Sequence, residues 1–569
     1  MEQSPVIKDK LARVARLRKK ALSLPARKAM DLIIDSPDAP AVVHSMAEQD
    51  FYLMVNEIGP EDAIELISLA SDSQWEYILD TDSWKKEEIN NHAVVKWFDL
   101  LMEADADRFL SWMTSEKKDF LELFFYYHIE AAVREHDQEP SEFDDDFFTF
   151  DDVYYFRFIK KGPAVGMDDK ETQWRDNVLY GFLKRLADTD YIKYQELLFY
   201  SSGVIPAEAE EEAYRLRNVR LAEKGFLPFE EAIGIYQPLR SKKLPAKPPA
   251  IENKGSLLPV PMTQLQLMDG TGVFERALNL VDSGNTIQEL CAEFAALCNN
   301  IAVADQVVLA TKKELGMVVR KACGYLSIGF ARLCGNMETG CEPSRAASLM
   351  KTAYLADIFR TGYGVVMELK NRAVRWRRSS WWAEKGLPLA FWGERRGGAL
   401  GGLLVKRPLF YDHTDGLYRE FGSVADVRDA ESLLREIMVI DDLLLQADID
   451  PSPVSPLILT VDNLLLTLWA RSVLGLPVVV EFIPSDRFRL FFADLMTRQD
   501  STGPSGFIKD ELKQSFLSWL SDLVGVAPYK LSRDAGLILT RLFDKLEDEY
   551  RDVLPDSLDP RHIHMFLVC

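Results

Sequence analysis

IGPEDAIELISLASDSQWEYIL, residues 58–79, is the stretch on which the reading of the fold turns. It starts on Asp62-Ala63, places Leu66 and Ile67 four and five positions after Asp62, passes through the small residue Ser71 and enters a second apolar helix. The same order recurs in DAPAVVHSMAEQDF (38–51), with Val42, Val43 and Ala47, and in DADRFLSWMTSEKKDF (105–120), with Phe109, Leu110 and Thr114. One such helical hairpin cannot bury its apolar stripe alone, so neighbours must stack to complete a core. The offsets of 24 and 43 residues are unequal, which predicts a degenerate array, an α-superhelix, rather than a regular solenoid.

Outward from this array most of the chain reads as helix, with apolar residues three and four apart between short Pro, Gly, Asp and Ser stretches. Its 569 residues are enough for more than one buried core, and 47% hydrophobic with 27% charged residues is the composition of a folded chain. A net charge of −22 weighs against bulk attraction to nucleic acid or anionic lipid. The basic N-terminus lacks a signal-peptide core, and the longest apolar run, 464–482, is broken by Arg471 and Pro477. A cytoplasmic protein without a transmembrane segment is therefore expected. Five of six cysteines lie between Cys291 and Cys341, none in C-x-x-C spacing, so reduced thiols are expected, with Cys291 and Cys298 acting as small buried hydrophobes.

The expected organisation is mainly α and multi-domain, with small β-hairpin elements. A basic N-terminal helix occupies 1–30, the helical repeats 31–135, and a hairpin with further helices packed on the repeats 136–240. A proline-rich linker follows at 241–262, and a C-terminal helical domain fills 263–569, with long amphipathic candidates at 343–370, 507–525 and 533–553. In the N-terminal helix Leu11, Val14, Ala15 and Leu22 share a face that Arg18 interrupts, which weakens a membrane-surface reading.

The stretch 58–79 resembles the cytoplasmic N domain of MgtE-type magnesium transporters. The resemblance implies an α-superhelical fold for about a sixth of the chain. No membrane domain or paired nucleotide-binding-like domain accompanies it, so transport is not implied. Over a wider span the chain is similar to an uncharacterised bacterial family, a domain of unknown function. LPARKAMDLIIDSPDAPAVV (24–43), YRLRNVRLAEKGFLPFEEAIGIYQPL (214–239), IFRTGYGVV (358–366) and VKRPLFYD (405–412) carry that similarity, which implies no activity.

Two segments hold the strongest local chemistry. Residues 135–152 are rich in Asp and Glu without Lys or Arg, but their spacing fails the Ca²⁺-loop order. The flanking runs FFTF (147–150) and VYYFRF (153–158) predict a hairpin turning on Asp151-Asp152 and pairing Phe150 with Val153. That register places Phe148, Phe150, Val153 and Tyr155 on one face, with Phe147, Tyr154, Phe156 and Phe158 on the other. The second segment, 370–396, sets eight Lys and Arg against two Glu, a local +6 that leaves −28 for the rest of the chain. Its candidate binding residues are Arg372, Arg375, Trp376, Arg377, Arg378, Trp381, Trp382, Arg395 and Arg396. Arginine beside aromatic rings suits phosphate contact with base stacking or a protein hot spot, and the alternative reading makes the tryptophans core and pairs the arginines with carboxylates.

No hydrolase, zinc-protease, kinase or nucleotide-loop motif occurs, and His413 within YDHTDG (411–416) reads as part of a turn between short strands. Neither a catalytic residue, a metal site nor a cofactor is assigned. The function expected is a non-enzymatic scaffold or adaptor binding a protein partner through its helical-repeat and basic-aromatic surfaces. The alternatives are nucleic-acid binding through 370–396 and an enzyme with an unrecognised site.

Overall fold

The computed structural model describes residues 5–159, 168–239, 244–247, 260–498, 506–554 and 558–569. Among them are twenty-five α-helices, with strands confined to four small antiparallel sheets. The chain folds into two compact units, one from Met1–Gln237, Ser241–Cys323 and Glu342–Asp357, the other from Pro238–Arg240, Gly324–Cys341 and Ile358–Cys569. The proline-rich stretch 241–262 lies outside the described residues apart from 244–247 and 260–262.

In the first unit each of the three aligned stretches forms a short helix, a turn and a further helix. The pairs are Ala39–His44 with Glu48–Ile58, Ile64–Ser68 with Asp72–Asp82, and the end of Asn91–Ser115, beyond a kink at Asp105, with Lys118–His128. Val42, Val43, Leu66, Ile67, Phe109 and Leu110 are all buried in one core. Side chains stitch each pair to the last. Gln74, which caps its own helix with Ser71, donates to the carbonyls of Val43 at 2.8 Å and Met46 at 3.2 Å. Arg108 donates to the carbonyl of Ala70 at 2.6 Å and to Asp72 at 2.9 Å, with its guanidinium 3.9 Å over the ring of Trp75. The N-terminal helix Pro5–Leu22 joins the same core through Val14 and Leu22, while Arg18 donates to the carbonyl of Ser45 at 2.6 Å. Of its expected stripe, Val14 and Leu22 are covered by the chain itself, while Leu11 and Ala15 are exposed.

The acidic ribbon corrects its expected register. Phe148–Thr149 pairs with Tyr154–Phe158, Phe148 facing Phe156, one residue away from the predicted pairing. Side chains lengthen the turn. Asp151 accepts from the amides of Val153 and Tyr154, Thr149 accepts from that of Asp152, and Asp152 adopts a φ of 57°. A one-residue slip exchanges the faces, so Phe148, Phe150, Phe156 and Phe158 pack together and meet Tyr180 and Tyr194. A third strand absent from the sequence reading, Ile129–Val133, pairs antiparallel with the other edge of Tyr154–Phe158. Some of the acids pair with arginines, Asp144 and Asp146 with Arg157 and Asp152 with Arg134, and Glu130 on the third strand joins Arg157.

Beside this sheet His128 and Arg175 are fully buried. Arg175 donates to the carbonyl of Ile159 at 3.1 Å and to Asp176 at 2.9 Å, and its Nη1 sits 3.4 Å from His128 Nδ1. A guanidinium only donates, so Nδ1 accepts and the imidazole proton rides on Nε2, 3.2 Å from Asn91 Oδ1. Burial first, then the charge of Arg175, holds this histidine down at about 3.

In the second unit Trp469 is enclosed by Phe491, Phe516 and Phe543. The C-terminal residues add a bridge between Ile483 and Val568. The candidate 343–370 is divided into Pro343–Thr352 and Leu355–Arg377, while Asp510–Val524 and Pro528–Tyr550 occupy the other two. Phe410–Asp412 and Leu417–Arg419 form the hairpin around His413, which is exposed. Where reduced thiols are expected, Cys334 and Cys341 form a disulfide, because Gly335 and Gly340 take φ of 70° and 87° and fold the loop back. Cys291 and Cys298 are buried free thiols, as small hydrophobes would be. No helix among the described residues is long and apolar enough to cross a membrane.

Helices Lys312–Cys334 and Leu355–Arg377 approach at glycine. A Cβ on Gly362 would lie 2.0 Å from the carbonyl oxygen of Tyr325. Gly362→Ala should therefore cost about 1–3 kcal/mol in chemical denaturation. Gly536→Ala, in the helix Pro528–Tyr550, meets nothing nearer than 3.6 Å and should gain about 0.5–1 kcal/mol. A second expectation concerns pH. An unfolded histidine titrates near ~6.5, so between that pH and about 3 only the unfolded chain takes the proton at His128. Stability present above pH ~6.5 is lost as pH falls, by about 1.4 kcal/mol per unit. In urea titrations at several pH values the parent should lose that much more than His128→Gln between about pH 6 and 4; a constant gap would refute it.

Candidate partner-binding groove

In the first unit the helices Asp72–Asp82, Lys118–His128 and Pro206–Glu223 enclose a cavity of about 400 Å³. Leu79, Trp84, Phe120, Ile205, Ala213 and Leu216 give it an apolar floor, and Glu116, Asp119, Glu122, Glu208 and Glu212 surround it. Charge holds the third wall in place. Arg220 grips Asp80 through Nε and Nη2, both at 2.7 Å, and reaches Glu76 at 3.2 Å, while Arg217 donates to the Asp80 carbonyl at 2.6 Å. Tyr127 donates to Glu210 at 3.2 Å, and partial burial with that carboxylate pushes the phenol up to about 12. Of its eighteen residues the wall helix buries only Leu221.

The bases that line the groove are Lys117 and Arg220, and both are engaged within the fold, Lys117 by Glu76 and Arg220 by Asp80. Six acids, Asp80 included, line the groove against these two bases, and two of the six are paired with bases outside the lining, Glu212 with Arg215 and Glu122 with Lys118. Burial raises the carboxyl of Asp80 despite Arg220, and also that of Glu122. An apolar trough with an acidic rim complements a segment carrying aliphatic and basic side chains on one face.

The basic-aromatic segment lies in the second unit, and the structure separates its two chemistries. Trp376, Trp381 and Trp382 are buried, so none offers a face on which a base could stack. One carboxylate organises them: Asp441, itself buried, accepts from the indole of Trp376 at 3.2 Å and from the backbone amides of Trp381 at 3.2 Å and Trp382 at 2.9 Å. Burial raises its pKa even so. Arg372 pairs with Glu431, Arg395 with Asp429, and Arg396 with Glu436 and Asp462. Arg375, Arg377 and Arg378 remain exposed without a carboxylate partner among the described residues, Arg377 lying 5.9 Å over the ring of Trp382.

Sequence reasoning passed over the groove because its residues are scattered from 79 to 220 and form no motif. A usable signal was present in AEAEEEAYRLR (207–217), a helix too poor in apolar residues to be held by burial. Among the described residues no group of three or more His, Cys, Asp and Glu side chains is arranged to hold a metal ion.

Replacing Asp441 with Ala leaves three donors without an acceptor, and should cost about 3 kcal/mol. A denaturation series followed by tryptophan emission measures this; Asp441→Asn, which keeps an acceptor oxygen, should cost less.

No curated protein and no solved structure matches the chain. A match does extend over residues 6–569 to a family described as a family of unknown function, DUF6178, and with nearly the whole length covered the chain belongs to that family.

Proposed function

We propose that this protein is a non-enzymatic scaffold or adaptor whose first unit docks a basic, amphipathic helical segment of a protein partner in the groove between Asp72–Asp82, Lys118–His128 and Pro206–Glu223. The observation that carries the reading is the acidic rim over an apolar floor, where the lining bases are engaged and Glu116, Asp119 and Glu208 have no ion pair among the described residues. The stacked helix pairs supply a rigid support for it, as in a helical-repeat domain of the kind found in the N domain of MgtE-type transporters. The compartment proposed is the cytoplasm of a bacterium.

A second reading, phosphate contact on nucleic acid, is favoured only by exposed Arg375, Arg377 and Arg378, since the neighbouring tryptophans are buried. The enzyme reading gains nothing from His413. It is exposed in a hairpin turn whose Asp412 is held by Arg419 and the amide of Thr414.

The test uses the full chain and a labelled amphipathic peptide of alternating Leu and Lys helical faces, with a Leu and Glu counterpart. Fluorescence anisotropy should show saturable binding of the lysine peptide, weakened by added salt. The variant Glu116→Lys with Glu208→Lys should bind it at least tenfold less tightly. Equal binding of both peptides, or a variant that binds like the parent, would sink the proposal.

A further inference from the structure

Two buried oxygens of residues lining the groove make no hydrogen bond. Ser83, 1% exposed, caps the end of the Asp72–Asp82 helix in the cavity wall. Its amide donates to the carbonyl of Leu79 and its carbonyl accepts from the amide of Asn90, which leaves the hydroxyl as its one uncommitted group. That hydroxyl is buried and has no hydrogen-bond partner. Glu122 lines the same cavity, and its shielded Oε1 has no hydrogen bond, only a long ion pair with Lys118 Nζ at 3.7 Å.

Leaving a buried carboxylate oxygen and a buried hydroxyl unmatched is unfavourable, and a ligand bringing N–H donors removes that cost. The ligand must also be slender and aliphatic where it passes Trp84, Phe120 and Leu216. An ammonium on a flexible methylene stem has three donors that can reach two separate acceptors, whereas a guanidinium is a rigid planar fork suited to a paired carboxylate.

We propose that the groove contains a lysine socket: a primary alkylammonium on the partner's docking segment donates to Glu122 Oε1 and Ser83 Oγ while its methylenes lie against Trp84, Phe120 and Leu216. The socket rests on the reading of the groove as a protein-docking site, and it specifies the anchor that such a partner carries.

The experiment uses the full chain and a set of basic amphipathic peptides in which each lysine in turn is replaced by norleucine or by arginine, with n-butylammonium as a free probe. At one position, norleucine or arginine should weaken binding at least tenfold, while elsewhere arginine is tolerated within about twofold. Glu122→Gln and Ser83→Ala should each weaken the lysine peptide and leave the norleucine peptide at that position unaffected. This coupling is a result that loss of fold cannot imitate. If both variants bind every peptide as the parent does, the socket is wrong and the docking groove survives. If no peptide binds while n-butylammonium binds the parent and not Glu122→Gln, the assignment to a partner's lysine is overturned in favour of a free amine.

Discussion

A helix of five or six residues has more unsatisfied backbone carbonyls than satisfied ones, because the last four have no partner inside the helix. Ala39–His44 and Ile64–Ser68 are helices of that length, set in a core where water cannot supply the missing donors. The first unit depends on how this is met. Gln74 reaches back to Val43 and Met46, Arg108 to Ala70, and Arg18 across to Ser45. Each stitch closes one helix end from a neighbouring element, so apolar burial and backbone satisfaction select the same stacking. The uneven offsets between the aligned stretches are tolerated because each stitch acts only between neighbours.

The same device shapes the surface. Arg108, Lys117, Arg217 and Arg220 are drawn inward to carbonyls and buried carboxylates, and the acids not needed for that work are left on the outside. The groove is negative for this reason, in a chain that is already 22 charges negative. In the second unit the roles are exchanged. There a single buried carboxylate, Asp441, gathers three tryptophan N–H groups, and Glu431, Glu436, Asp429 and Asp462 take up the arginines around it. The basic island of the sequence is thus neutralised in part, at Arg372, Arg395 and Arg396, while Arg375, Arg377 and Arg378 stay exposed.

What the sequence made legible was periodic. Helical content, the buried pairs from Val42 to Leu110 and the hairpin around His413 follow from spacing and turn residues, which act over a few positions. The ribbon register was not legible. It was set by Asp151 and Thr149 side chains bonding to backbone amides, a choice among turns that hydrophobic alternation does not encode. Burial of Trp376, Trp381 and Trp382 was invisible for a related reason: their acceptor, Asp441, lies about sixty positions away. The groove was the least legible feature, since it belongs to three helices that meet only in space.

The wall helix Pro206–Glu223 links architecture to purpose. Burial of its one buried leucine contributes at most about 1.5–3 kcal/mol, too little to hold eighteen residues against their conformational entropy. The clamp of Arg220 and Arg217 on Asp80 adds to it, as do the Tyr127–Glu210 hydrogen bond and the contact of Tyr214 with Trp84, and removing one member of the Arg220–Asp80 pair leaves an uncompensated charge. A helix fastened by charge and a few side-chain contacts is free to carry polar residues along its length without a core to satisfy. That freedom permits the acid-rich run 207–212 beside the apolar floor, so the feature that makes the helix poor at packing is the one that gives its groove an acidic rim.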